Sequence, residues 1–236
     1  MFESAREEIL AKIKGALKHD PARDATPAPD AVNQSVRQIN EARGQTRDDL
    51  LTQFEVELVR AGGHFYSAAS ASAICEYVRK LAPHGADAVV GWDSQLIRDV
   101  ALAEMLQQAG VAFIPDAGKL SSDEFIRKAT EAEVGITAVD YALADTGTLV
   151  LMAGRGRARS ASLLPPVHVA LVKPEQIIPG LADLFVLLKA GEGSSGGGVS
   201  SAVTLITGPS RTADIELTLV VGVHGPQQLH VILLNG

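Results

Sequence analysis

A single cysteine, Cys75, stands in 236 residues. One thiol closes no internal disulfide and builds no zinc or iron–sulfur site that needs several thiolates of the same chain. It lies in the helical pattern Ala73-Ile74-Cys75-Glu76-Tyr77-Val78, where a small core residue is a plainer reading than a nucleophile. Aromatic residues are scarce as well, 4% of the chain, too few for a surface that stacks bases. Positive charge is outweighed: the formal net charge is −7, which repels phosphate backbones, so an anion site has to be local and built from a few placed arginines. No nucleic-acid partner is expected. No run approaches the ~20 apolar residues of a membrane-spanning helix, and the opening Met1-Phe2-Glu3-Ser4-Ala5-Arg6-Glu7-Glu8 lacks the regions of a signal peptide. The expectation is a cytoplasmic protein with no membrane partner.

Several motifs are missing too. The six histidines, at 19, 64, 84, 168, 224 and 230, include no pair three or four residues apart, so no metal site is expected. No glycine-rich dinucleotide fingerprint follows an early strand, and no phosphate loop ending Gly-Lys-Ser/Thr occurs. A Gly-x-Ser-x-Gly elbow is also absent, which leaves Ser-His-Asp hydrolysis without an anchor.

What is present is an ordinary globular composition, 46% hydrophobic and 21% charged, with material for a substantial core. Residues 1–18 carry Ile9, Leu10, Ile13 and Leu17 at helical spacing, an amphipathic stripe whose partner is either the body of the protein or another copy of the chain, a homo-oligomer. Asp20 to Asp30 is rich in proline and small residues and reads as a linker. The division expected is therefore 1–45, a helix and linker, and 46–236, a folded domain.

From residue 46 helices and strands alternate: helix 48–61 ending on Gly62-Gly63, strand 64–66, helix 72–81, strand 88–92, helix 94–109, strand 111–114, and a helix to about 131 opened by the capping box of Ser121 and Glu124. Short connections between such units imply a mainly parallel sheet covered on both faces. The texture then changes. Val134–Ala144 and Thr148–Met152 are β-prone runs joined by Asp145-Thr146-Gly147, the pattern of a hairpin. A strand at 167–172, a helix at 179–190, a glycine-rich loop at 191–198 that would close over a ligand, and a strand at 229–234 complete the chain. The fold class expected is α/β, a three-layer α/β/α arrangement with a mainly parallel sheet plus an antiparallel hairpin.

Polar chemistry concentrates in three places. Asp145, Thr146, Gly147 and Thr148 form the hairpin connection, Arg155 to Ser160 with Arg159 is the densest basic patch, and Gly208-Pro209-Ser210-Arg211-Thr212-Ala213-Asp214-Ile215-Glu216 follows an apolar run. The last segment reads as a strand, a tight loop and the start of a helix. Ser210, Thr212 and Asp214 then offer side-chain oxygens to the first helical turn, and Arg211 beside the positive end of the helix dipole makes a seat for a phosphate or carboxylate. The competing reading is a capped helix whose Arg211 pairs with Asp214. If the sheet brings the three loops to one edge, they share a pocket in which Asp145, Asp214 or Glu216 is placed as base or nucleophile. His224, between glycines and beside Pro226, is the histidine best placed to join it, while His168 and His230 sit in apolar strand patterns.

Four ordered segments carry a resemblance: Glu133-Val134-Gly135-Ile136-Thr137, Ala144 to Val150, Ser162-Leu163-Leu164-Pro165-Pro166-Val167-His168, and Gly208 to Glu216 with His224-Gly225-Pro226. They resemble the LUD domain family, of the lactate utilization protein C type, most specifically over 130–236. The resemblance implies a sheet of the sugar-isomerase and CoA-transferase-like (NagB/RpiA/CoA transferase-like) class, similar also to formyltetrahydrofolate cyclo-ligases. It further implies a place in a three-protein system that oxidises L-lactate to pyruvate. Iron–sulfur clusters are then expected on the partner proteins and no cofactor in this chain, which becomes a non-redox or accessory subunit. The alternative the same fold implies is a stand-alone enzyme of isomerase, cyclo-ligase or CoA-transferase type that binds an anionic small molecule. The family supplies no catalytic residue to carry over, so the segments are candidates for a ligand or partner site.

Overall fold

The computed structural model describes residues 29–81, 88–191, 200–213 and 219–234. The expected helix at 1–18, most of the proline-rich linker, residues 192–198 of the glycine-rich loop, Asp214 and Glu216 lie outside them. The first described element is a helix where the sequence reading had a linker and no further element before 46. Helix α1, Pro29–Gln45, opens on a proline whose fixed φ suits a first helical turn. Its Val36 and Ile39 are buried against the body.

Helix α2, Arg47–Arg60, buries Leu50, Phe54 and Leu58, one residue per turn. Strand β1, His64–Ala68, helix α3, Ala71–Lys80, and strand β2, Ala88–Gly91, follow. The single helix expected over 94–109 is two, α4 Gln95–Asp99 and α5 Leu102–Gln108. The break falls at Ala101, which has φ of 48°, a left-handed conformation that turns the chain out of the helix. Strand β3, Ala112–Pro115, and helix α6, Ser122–Glu131, come next; α6 carries the Ser121–Glu124 capping box in both directions.

The β-prone run 134–144 also divides in two. Strand β4, Val134–Ala138, joins the main sheet, while β5, Tyr141–Leu143, pairs with β6, Thr148–Met152, as the expected antiparallel hairpin. After α7, Ser160–Leu163, come β7, Val167–Val172, β8, Ile177–Ile178, α8, Leu181–Lys189, and β9, Val203–Ile206. The helix expected after Gly208 is absent from the described residues: β10, Arg211–Ala213, pairs antiparallel with β11, Leu219–Val221. Strand β12, Gln228–Leu234, ends the described chain.

The main sheet runs β1-β12-β7-β4-β2-β3, every pairing parallel. Helices lie on both faces. A β-carbon at Gly135 of β4 would collide with the carbonyl oxygen of Ala161 in α7 on one face, and the Tyr77 hydroxyl of α3 meets His230 of β12 at 3.0 Å on the other. Burial on both faces explains why Val134–Ala138 and Val167–Val172 are buried at every position.

A second sheet, β8-β5-β6-β9, packs between this core and two helices. Ala142, Ala144, Leu149 and Leu151 join the main core, and the alternating Tyr141, Leu143, Val150 and Met152 join a smaller one with Leu184 and Leu187 of α8 and Val36 and Ile39 of α1. The structure is therefore α/β, with a mainly parallel sheet and an antiparallel element beside it.

Candidate functional site

The amino ends of β7 and β12 are tied together by their lead-in segments. Gln227 N–H donates to the Pro166 carbonyl at 2.8 Å, Ser210 N–H to that of Pro226 at 2.9 Å, and Gly222 N–H to that of Ser210 at 2.9 Å. Prolines at 165, 166, 209 and 226 stiffen the loops, and the hydrogen bonds clamp them to one another. Between them opens a cavity of about 240 Å³, walled by Ser162, His168, Thr207, Ser210 and His224 among others. Two of the four segments singled out in the sequence, Ser162–His168 and Gly208–Pro226, meet here.

His168 is the best-defined group of this cavity. It is 1% exposed, and its Nε2 lies 2.9 Å from the Thr137 hydroxyl of the neighbouring strand. Burial, assisted by the nearby His230, pulls its pKa down to about 3. The imidazole is consequently neutral at physiological pH, a hydrogen-bonding group and not a cation. Its position was legible only as an apolar strand histidine; the Thr137 partner follows from the β4–β7 register, which no local pattern reveals.

The hairpin reaches the same rim through a line of hydroxyls. Thr207 and Thr148 lie 2.7 Å apart, Thr148 donates to Thr146 at 2.8 Å, and Thr146 donates to the Asp145 carboxylate at 3.1 Å. Asp145 itself lies against Gly180 at the start of α8. Thr212 belongs to β10, opposite Val220.

The expected anion seat at Ser210 and Arg211 is not formed. Among the described residues no helix starts there, and the Arg211 guanidinium donates instead to the Ala61 carbonyl at 2.7 Å. Gly208 and Gly147 serve the same helix: both have positive φ, and a β-carbon would strike the Ala61 carbonyl at the first and the Leu58 backbone at the second. Three of the most recognisable residues in the sequence thus hold the carboxyl end of α2.

Arg159 stands apart from this cavity, so the pocket expected to unite all three loops is corrected to two. It borders a second, larger cavity of about 490 Å³ with Arg155, Ser160 and Asp116. Asp116 directly follows β3, which puts this cavity at the carboxyl end of the sheet. Asp116 was missed as a site residue. Its signal was an acid immediately after a strand of a parallel sheet, the edge where such folds bind ligands.

On the far face of the sheet His230 is stacked on His64, with centroids 4.4 Å apart, and hydrogen-bonded to Tyr77 and to Gln228, each at 3.0 Å. Burial brings its pKa down to about 4. Among the described residues no group of three or more His, Cys, Asp or Glu is arranged to hold a metal ion.

Comparison with known proteins places this architecture. Residues 51–234 match the family model described as the LUD domain. The chain is 36% identical over 148 residues to lactate utilization protein C of Halalkalibacterium halodurans, a match spanning 62% of each chain. It is 32% identical over 234 residues to the uncharacterized protein YkgG of Escherichia coli, across 98% of both, and 29% identical over 237 residues to lactate utilization protein C of Bacillus subtilis, across 98% of this chain and 96% of that one. The fold is similar to the crystal structure of a DUF162 family protein from Deinococcus radiodurans, with a TM-score of 0.54 at 21% identity, over 80% of this chain and 98% of that one. Because the matched residues run from α2 through β12 and take in both sheets and both cavities, the chain belongs to the LUD domain family.

Proposed function

We propose that this chain serves lactate utilization as a non-redox subunit that works beside iron–sulfur proteins oxidising L-lactate to pyruvate. The observation that carries the reading is similarity along nearly the whole chain to a Bacillus subtilis protein named lactate utilization protein C. The thiol content supports the division of labour. Cys75 is the one cysteine, it is buried in α3, and burial pushes its thiol pKa up, the reverse of what a thiolate ligand or nucleophile needs. Its contribution is then a binding pocket: the amino-end cavity offers neutral imidazole and hydroxyl groups suited to holding a small polar molecule or a partner's loop. A cytoplasmic setting belongs to the same reading; among the described residues no helix is long and apolar enough to cross a membrane.

Lactate-dependent dye reduction, reconstituted from this chain and the two iron–sulfur proteins, tests the proposal. The rate is expected to fall when this chain is left out. Equal rates with and without it refute the reading.

A further inference from the structure

We propose that the crevice at the carboxyl ends of β2 and β3 binds a small organic oxyanion, with Arg155 and Arg159 as its cationic contacts and Leu120, Phe125 and Ile126 seating its apolar body. The position comes from topology. Strand β2 has β3 on one side and β4 on the other, so the chain reverses direction across the sheet between β2 and β4, and the crevice lies beside that reversal, at the carboxyl edge where open α/β sheets bind ligands. The cavity is large enough for a drug-sized ligand, about 490 Å³.

The loop that borders it is held in place from several sides. Asp93 N–H donates to the Gly156 carbonyl at 3.0 Å. The Trp92 indole N–H donates to the Ala158 carbonyl at 3.0 Å, and Ala158 N–H to the Asp116 carboxylate at 2.8 Å. These contacts fix the loop to residues directly after β2 and β3. The third arginine of the patch, Arg157, is already committed: it pairs with Asp140 at 2.6 Å and lies 5.4 Å from the Trp92 ring centroid.

Arg155 and Arg159 have no such partner. Among the described residues no carboxylate pairs with either, and the acid in the cavity wall, Asp116, is engaged by Ala158. Both guanidinium groups are exposed on the loop held by these contacts and remain available to an anion. A guanidinium fork matches the two oxygens of a carboxylate or phosphate. Beneath them the wall turns apolar, with buried Phe125 and the half-exposed Leu120 and Ile126. The site therefore favours an anionic head on a hydrophobic body over a bare inorganic anion.

The test uses the full chain and four probes: phenylpyruvate, phenyl phosphate, pyruvate and inorganic phosphate, by calorimetry and by the NMR signal of the indole N–H of Trp92, the one tryptophan. Both phenyl compounds are expected to bind saturably and move that signal, more tightly than pyruvate and phosphate, and the tighter of the two identifies the preferred oxyanion. Arg155→Gln and Arg159→Gln each weaken binding about tenfold, and the double variant, with an unchanged melting temperature, loses it. No saturable binding to the wild-type chain, equal affinity in the double variant, or tighter binding of benzylamine overturns the proposal. The lactate-utilization reading is judged separately, by electron transfer.

Discussion

Arg211 reaches back to the carbonyl oxygen of Ala61, 2.7 Å away, and so caps the helix α2 with a positive charge at its negative end. Gly62 makes room for it, since a β-carbon there would collide with the guanidinium. This arginine, the most inviting anion ligand in the sequence, is occupied by the fold. Arg211→Ala is expected to lower stability by about 1 kcal/mol, read from urea denaturation, and to leave oxyanion binding at the Arg155–Arg159 crevice unchanged. A variant that unfolds at the wild-type midpoint contradicts the capping role.

The two glycines that grip the same helix should be far less tolerant. Gly208 and Gly147 have φ of 78° and 63°, and at both a side chain meets backbone, which cannot swing aside. Gly208→Ala and Gly147→Ala are each expected to cost about 2–4 kcal/mol, the left-handed conformation and the collision acting together. Gly110, also at positive φ but with open space around it, isolates the conformational part: Gly110→Ala is expected to cost only about 1 kcal/mol.

Thr137 is the partner that makes a buried neutral histidine tolerable at the cavity wall. Thr137→Val keeps the shape and removes the hydroxyl, leaving His168 Nε2 without that bond, at a cost of about 1–3 kcal/mol. Thr137→Ser, which keeps the hydroxyl, should recover most of the loss. Equal melting temperatures for the Val and Ser variants would count against the bond.

Stability should also fall in mild acid. His168 is pulled from an ordinary value of 6.5 down to about 3 by burial. A depressed folded-state pKa means that its contribution is complete above about pH 6.5 and is lost as the pH falls toward 3, because the unfolded chain takes up the proton first. At pH 5 the loss is about 2 kcal/mol. His230, brought to about 4 mainly by burial, acts in the same direction. Urea midpoints measured from pH 7.5 to pH 5 check this; His168→Gln should show a shallower decline.

Much of the main sheet was readable because each strand is a short apolar run closed off by helix signals, and the capping box at Ser121 and Glu124 stood where the pattern placed it. Misreadings arose where local pattern and tertiary context part. Val139 and Asp140 separate two strands that are both fully buried, so hydrophobicity gave no sign of the change of sheet. Ala101 adopts a conformation that alanine rarely takes, and nothing local announces the break.

The candidate site divided along the same line. Ser162, Gly208, Ser210 and His224 were found as motif residues and do converge. Arg211 was misassigned because its partner lies 150 residues away, and Arg159 because loops at opposite ends of a strand are equally close in the sequence to that strand.

The position of β12 has a kinetic consequence. It lies between β1 and β7, parallel to both, although most of the described chain separates it from β1. Until this strand arrives, β1 has no hydrogen-bonding neighbour in the sheet, and both it and β7 present an open edge. Closing that gap requires a long-range pairing of the kind that slows folding and lengthens exposure to aggregation. Substitutions that weaken β12, such as Val231→Ala at a fully buried position, should therefore reduce the yield of folded protein during synthesis more than their effect on equilibrium stability alone would foretell.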